Sequence, residues 1–199
     1  VDVYALDTTE TPLSDDLYAP ERGIDAAQRL YAAAAGAART LMLTNGSTSG
    51  IHAMVQLYCR EGDTVLLPRN AHLSAVNGCI MGGVKARWMP VSMTADGLCY
   101  MKGSDVLAAM DAHPEAKAVF VTSPDYFGRC LELREISHAV HERGMLLFVD
   151  SAHGAHFPFS EQLPPSPAGL ADAWVTSAHK TLPSLTQSAW LHAGESVEE

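Results

Sequence analysis

With 199 residues, 47% of them hydrophobic, the chain is long enough for one sizeable core, or for one large layer and part of another. Its 13 basic residues stand against 23 acidic ones, a formal net charge of −10. That balance excludes a bulk surface built for nucleic acid or anionic membrane, whose contacts need clustered Lys and Arg.

No stretch reaches the ~18 consecutive apolar residues of a membrane span, and no N-terminal signal pattern is present, so a cytoplasmic protein is expected. Cys59, Cys79, Cys99 and Cys130 form no CxxC pair, which argues against a zinc knuckle or a thioredoxin-type site and for inert thiols in a reducing compartment. The sequence starts at Val1 and ends soon after a strand-like segment, and so reads as a piece of a longer protein.

The opening stretch to Arg22 is polar and turn-rich, with Pro12 and Pro20. Alanine dominates residues 24–39, which predicts a helix despite Gly36. Short apolar runs then alternate with helical patterns. Strands are predicted over 40–44, 64–67 and 85–89, and helices over 47–59, 74–81 and, after a loop, 104–112. In the second half, 116–122 predicts a strand and 132–143 a helix ended by Gly144. The run Met145 to Val149 has no polar alternation, as in a parallel strand covered on both faces. Short strands over 174–176 and 187–192 close the series. Alternating β and α segments with no dividing linker imply one domain, a three-layer α/β/α sandwich around a mainly parallel sheet.

Ligands in such sheets lie beyond the carboxyl ends of the strands. Those positions hold Asn45-Gly46-Ser47-Thr48-Ser49, Arg69-Asn70-Ala71-His72, Ser123-Pro124-Asp125-Tyr126, Asp150-Ser151-Ala152-His153 and Ser177-Ala178-His179-Lys180. Lys180 is one of four lysines, with Lys85, Lys102 and Lys117, and alone has Ser177, His179 and Thr181 around it after a strand. It reads either as a surface lysine or as a Schiff-base amine. Asp150, ending an apolar strand, either caps the next turn or holds a cationic ring nitrogen such as that of pyridoxal phosphate (PLP). Ser47 and Thr48 after Gly46 suit either phosphate binding at a helix start or simple capping by Ser47. The segment lacks the Gly-Lys-Ser/Thr ending of a Walker loop, and no GxGxxG sits between a strand and a helix. His72 is either a loop histidine or an imidazole lying on an aromatic ring. Asp150, His153 and His156 could suggest a metal, but Gly154 and the preceding strand make a helical ligand face unexpected, and no metal is assigned.

Together these segments resemble the major domain of the Orn/Lys/Arg decarboxylases, PLP enzymes of the aspartate-aminotransferase fold (fold type I). The resemblance runs from about Asp7 to His192. It rests on Asp15-Asp16-Leu17, Asn45-Gly46-Ser47-Thr48-Ser49-Gly50, Arg69-Asn70-Ala71-His72, Val149-Asp150-Ser151-Ala152-His153-Gly154-Ala155-His156-Phe157 and Ser177-Ala178-His179-Lys180-Thr181-Leu182, in that order, with Thr186-Gln187-Ser188-Ala189 continuing the pattern. Many relatives carry Glu where this chain has Ser151.

The resemblance implies Lys180 as the Schiff-base lysine, Asp150 as partner of the pyridine nitrogen and His72 as the ring-stacking imidazole. Ser47, Thr48, Ser177 and His179 would surround the phosphate, His153 would lie beside the cofactor, and Tyr126 would line the substrate side. The implied reaction is decarboxylation of lysine, arginine or ornithine to an amine and CO₂, a step in amino-acid metabolism and polyamine biosynthesis. The implied partners are a small amino-acid substrate and, in the intact protein, a second copy in a homodimer or higher homo-oligomer. Relative to that family the chain would be the PLP-binding large domain alone, without the C-terminal small domain. Another fold-type-I reaction, such as aminotransfer or elimination, or a catalytically incompetent binding module, are the competing readings.

Overall fold

A computed structural model describes residues 2, 4–5, 10–11 and 14–197. Pro12 of the turn-rich opening and Asp7, where the resemblance begins, lie outside the described residues. Asp15 organises the entry to the first helix. Its carboxylate accepts the backbone N–H groups of Asp16, Glu21 and Arg22 at 3.0 Å and of Ile24 at 2.8 Å. These donors, the Glu21 amide first, hold its carboxyl down at about 2.

The first helix, α1 (Gly23–Ala35), is shorter than its alanine content predicts, because Gly36 takes a left-handed conformation (φ 70°) and caps it. The chain is then free to begin β1 (Arg39–Leu43). There follow α2 (Gly46–Tyr58), β2 (Thr64–Pro68), α3 (Leu73–Met81) and β3 (Lys85–Met89). The expected loop instead contains a small antiparallel hairpin, β4 (Ser92–Met93) with β5 (Cys99–Tyr100). After α4 (Gly103–Ala112) come β6 (Ala118–Thr122), α5 (Leu133–Glu142), β7 (Leu146–Asp150) and β8 (Ala173–Ser177). A single helical turn missed by the sequence reading, α6 (Ala178–Thr181), carries Lys180. The last strand is β9 (Ala189–Ala193).

Seven strands form one sheet in the order β1-β9-β8-β7-β6-β2-β3, in which β9 alone runs antiparallel to its neighbours. The period-two alternation of the strands divides the core. Val65, Leu67, Phe120, Phe148 and Val175 pack with Ile51, Met54 and Ala75 of α2 and α3. Leu66, Val119, Val121, Leu147 and Val149 face Val106, Met110, Ile136 and Val140 of α4 and α5. Both faces are therefore covered, which is why β7 shows no polar alternation. The expected α/β/α sandwich is what the chain adopts.

On the second face α1 closes the β1 end of the sheet, with the Tyr31 ring stacked on Trp190 at 3.8 Å. The fully buried His192 ring joins three strands there, with Nδ1 2.8 Å from Thr40 Oγ1 and Nε2 2.9 Å from Thr176 Oγ1. Burial pushes its imidazole down to about 3, so it stays neutral.

The parallel strands deliver Leu43, Pro68, Thr122, Asp150 and Ser177 to one edge of the sheet. Because β9 runs back, its first residue, Ala189, pairs with both Leu43 and Ser177 at that same edge. The segment leading into β9 therefore meets the segments leaving the others.

Candidate active site

At this edge lies a cavity of about 430 Å³, within the range of small-molecule sites (roughly 300–1,000 Å³). Ser47, Thr48, His72, Asp150, His153, His179 and Lys180 all line it. They come from four separate strand ends and are brought together only by the sheet.

On one side is the turn from β1 into α2. Gly46 opens α2 with φ 68°, and its N–H donates to the Gln187 carbonyl at 2.9 Å. A β-carbon at Gly46 would lie 2.8 Å from Gln187 Oε1. Any residue but glycine would be strained in this turn. The N-cap position belongs to Asn45, whose side chain makes no cap bond, so capping by Ser47 is not what the structure contains. Ser47 and Thr48 lie in the first helical turn, where backbone N–H groups have no intrahelical acceptor and favour an anion.

Lys180 Nζ lies 3.2 Å from His153 Nε2. An ammonium can only donate, so Nε2 is the acceptor and the imidazole is neutral. Burial, and then the Lys180 charge, push the His153 imidazole below its usual range, while Asp125 pulls the other way. His179, next in the chain, has its ring fixed from behind: Nδ1 donates to the Ser188 carbonyl at 2.8 Å.

Asp150 is 4% exposed, and its Oδ1 accepts the Ala152 N–H at 3.1 Å. Burial raises its carboxyl above the usual range, opposed by that amide and by the charges of Lys180 and His72. A carboxylate in this state is primed for a cationic partner. His72 caps α3, its Nδ1 accepting the Ser74 N–H at 3.2 Å and standing 2.8 Å from Ser74 Oγ. The ring is hydrogen-bonded in its loop, as one reading of the sequence expects, and it also lines the cavity.

Ser177 is the exception among the expected residues. It is fully buried at the end of β8 and does not line the cavity; its Oγ has no partner among the described residues. Ser151 Oγ is likewise buried and unpartnered, packed against Gly154 so closely that no β-carbon fits there. Among the described residues no group of three or more His, Cys, Asp or Glu is arranged to hold a metal ion.

Three further lining residues were not singled out from the sequence. Cys99 arrives on the unforeseen hairpin and Thr122 ends β6 directly beside Asp150 in the register. Gln187 (φ 69°) is the one non-glycine residue with positive φ among the described residues. It precedes an antiparallel strand, so a search confined to residues after strands passes over it, although it stands in the Thr186-Gln187-Ser188 pattern.

The model of the Orn/Lys/Arg decarboxylase major domain matches residues 3–199, nearly the whole chain. The chain belongs to the Orn/Lys/Arg decarboxylase family. An arginine decarboxylase of Bacillus cereus is 36% identical to this family member over 200 residues, covering 97% of this chain and 43% of that protein. YaaO of Bacillus subtilis, an uncharacterized protein, is 36% identical over 194 residues, covering 96% of this chain and 40% of its own length. The chain thus spans about two-fifths of the curated relatives it matches. The constitutive lysine decarboxylase of E. coli superposes with a TM-score of 0.69 at 21% identity, over 86% of this chain and 26% of that one. Ureidoglycine-glyoxylate aminotransferase of Bacillus subtilis gives 0.72 at 15%, over 87% and 44%. These likenesses show the fold, that of fold-type-I PLP enzymes.

This family of carboxy-lyases uses PLP, and the residues present fit that group. The Gly46 turn brings the free amides of the α2 start to the cavity, as a phosphate requires. Asp150 suits a ring nitrogen that carries a proton, and Lys180 an aldehyde carbon.

Proposed function

We propose that this chain is the PLP-binding large domain of a basic-amino-acid decarboxylase, with Lys180 as the covalent anchor of the cofactor. One observation carries the reading: Lys180, Asp150 and the Gly46 turn, far apart in sequence, line one cavity at the strand ends. The 36% identity to proteins named arginine decarboxylase makes arginine the first substrate to test, before lysine and ornithine.

When bound, PLP supplies an electron sink for the pair left as the bond from Cα to the carboxylate breaks. The rest is the work of side chains. Asp150, buried and raised by that burial, holds a proton on the ring nitrogen through a charge-assisted hydrogen bond. His72, locked by Ser74, offers a flat imidazole to the ring face. Ser47, Thr48 and His179, which line the cavity, bind the phosphate. Lys180 Nζ, held 3.2 Å from the neutral His153 Nε2 that accepts its hydrogen bond, is the nucleophile as the free amine and, as the ammonium, the proton donor at Cα.

The test is spectroscopic. Added PLP should give a visible absorbance band that borohydride fixes covalently to the protein, and Lys180→Ala should lack it. Release of CO₂ from arginine, lysine or ornithine then separates decarboxylation from another PLP reaction. A wild-type protein with no such band refutes the cofactor assignment.

A further inference from the structure

The proposed mechanism leaves one charged group of the cavity unused. Asp125 follows β6, lines the cavity and is 8% exposed. Its Oδ1 accepts the N–H groups of Phe127 at 2.8 Å and Arg129 at 2.9 Å, closing the loop. An asparagine carbonyl would close it equally well, so the loop does not need the negative charge.

No lysine or arginine among the described residues is ion-paired with that charge. Two nearby cations are engaged elsewhere. Arg129 and Lys102 lie over the Tyr100 ring, at 4.6 and 5.6 Å from its centroid. The titratable groups that feel Asp125 are His153 and the Cys130 thiol, and neither is a fixed cation. A carboxylate so nearly buried, without a cation, is costly to hold unless a cation comes to it.

The surroundings say which kind. Tyr126 and Phe127, 81% and 52% exposed, follow Asp125 in the chain and line the cavity with it. Tyr126 meets Phe127 and His153 edge-on, at 5.6 and 5.9 Å between centroids. Ring faces beside a carboxylate suit a cation on an apolar stem. Sheet order also separates this corner from the phosphate side. Along the strand ends the sequence is the Gly46 turn after β1, Lys180 after β8, Asp150 after β7 and Asp125 after β6. The lysine lies between the two.

We propose that Asp125, with the Tyr126 and Phe127 rings beside it, receives the cationic far end of the amino-acid substrate and so sets the preference for basic side chains. The inference rests on the decarboxylase reading above.

Two matched pairs test it in the PLP-loaded protein: L-arginine against the neutral L-citrulline, and L-lysine against the neutral L-norleucine. Apparent dissociation constants come from the change in the visible spectrum on titration. Asp125→Asn keeps the loop acceptor and removes the charge. It should cut the arginine-over-citrulline and lysine-over-norleucine ratios by roughly tenfold or more, leaving the neutral ligands' affinity unchanged. Tyr126→Leu, at an exposed position, should weaken the cationic ligands severalfold and the neutral ones little. Ratios unchanged in Asp125→Asn, or a wild type that binds each pair equally, would overturn the inference while the cofactor reading stands. A wild type that takes up no PLP removes both.

Discussion

At the scale of single residues, the site is governed by burial acting on charge. Asp150 is held 4% exposed with one backbone donor, and burial raises its carboxyl above the ordinary 3.8. For an acid raised in the folded state, the native form binds more protons than the unfolded one between the two pKa values. Stability is therefore greatest below 3.8 and is lost as pH rises through the raised folded value. Without cofactor, Asp150→Asn should unfold at a higher temperature than wild type at pH 8, with the gap closing as the pH falls below 4, while its turnover with PLP falls steeply. Thermal melts of the two apo-proteins across that range decide it, and a variant less stable than wild type at pH 8 contradicts the account. Stability surrendered for a functional charge is the expected trade at such a position.

At the scale of elements, function depends on how three segments meet. The β1 to α2 turn is held by Gln187 through the Gly46 N–H at 2.9 Å, and the Lys180 turn is held by Ser188 through both the backbone N–H and the ring of His179. Adjacent residues of the β9 approach thus tie the anion-binding turn to the lysine turn. Gly46→Ala puts a β-carbon 2.8 Å from Gln187 Oε1 at a φ of 68°, a strain of order 1–3 kcal/mol. PLP affinity should fall about tenfold or more, whereas affinity for pyridoxal, which lacks the phosphate, should change little. An equal loss for both ligands would mean that the whole site has moved, and would sink the assignment of this turn to the phosphate.

At the scale of the molecule, the cavity has exposed lining residues on several segments, Thr48, His72, Tyr126, Lys180 and Gln187 among them. Our proposal for the whole protein is a large domain completed by a C-terminal small domain and by a second copy. The chain by itself should take up PLP on Lys180 yet turn over poorly, and association should accompany activity. Light scattering against the 21.3 kDa of one chain, run beside a CO₂ assay, checks this. Full turnover by a species of monomer mass would contradict it.

What the sequence determined by itself was the alternation of elements and the residues at their ends. Apolar runs of strand length and helical periodicity are local signals, so the α/β/α sandwich and the positions of Lys180, Asp150 and His72 were legible. The resemblance added roles to those positions. Local signals also misled where a single residue outweighed a composition: alanine content extended α1 past Gly36, whose left-handed turn ends it. The hairpin that brings Cys99, the turn that carries Lys180 and the contact of Gln187 with Gly46 left no periodic trace. The contact of Gln187 with Gly46 holds because β9 runs backwards through the sheet, and strand order is a long-range choice that no local pattern encodes. The spare charge of Asp125 is of the same kind. A carboxylate has an unmet need only when its surroundings are known, and those are set by the tertiary fold.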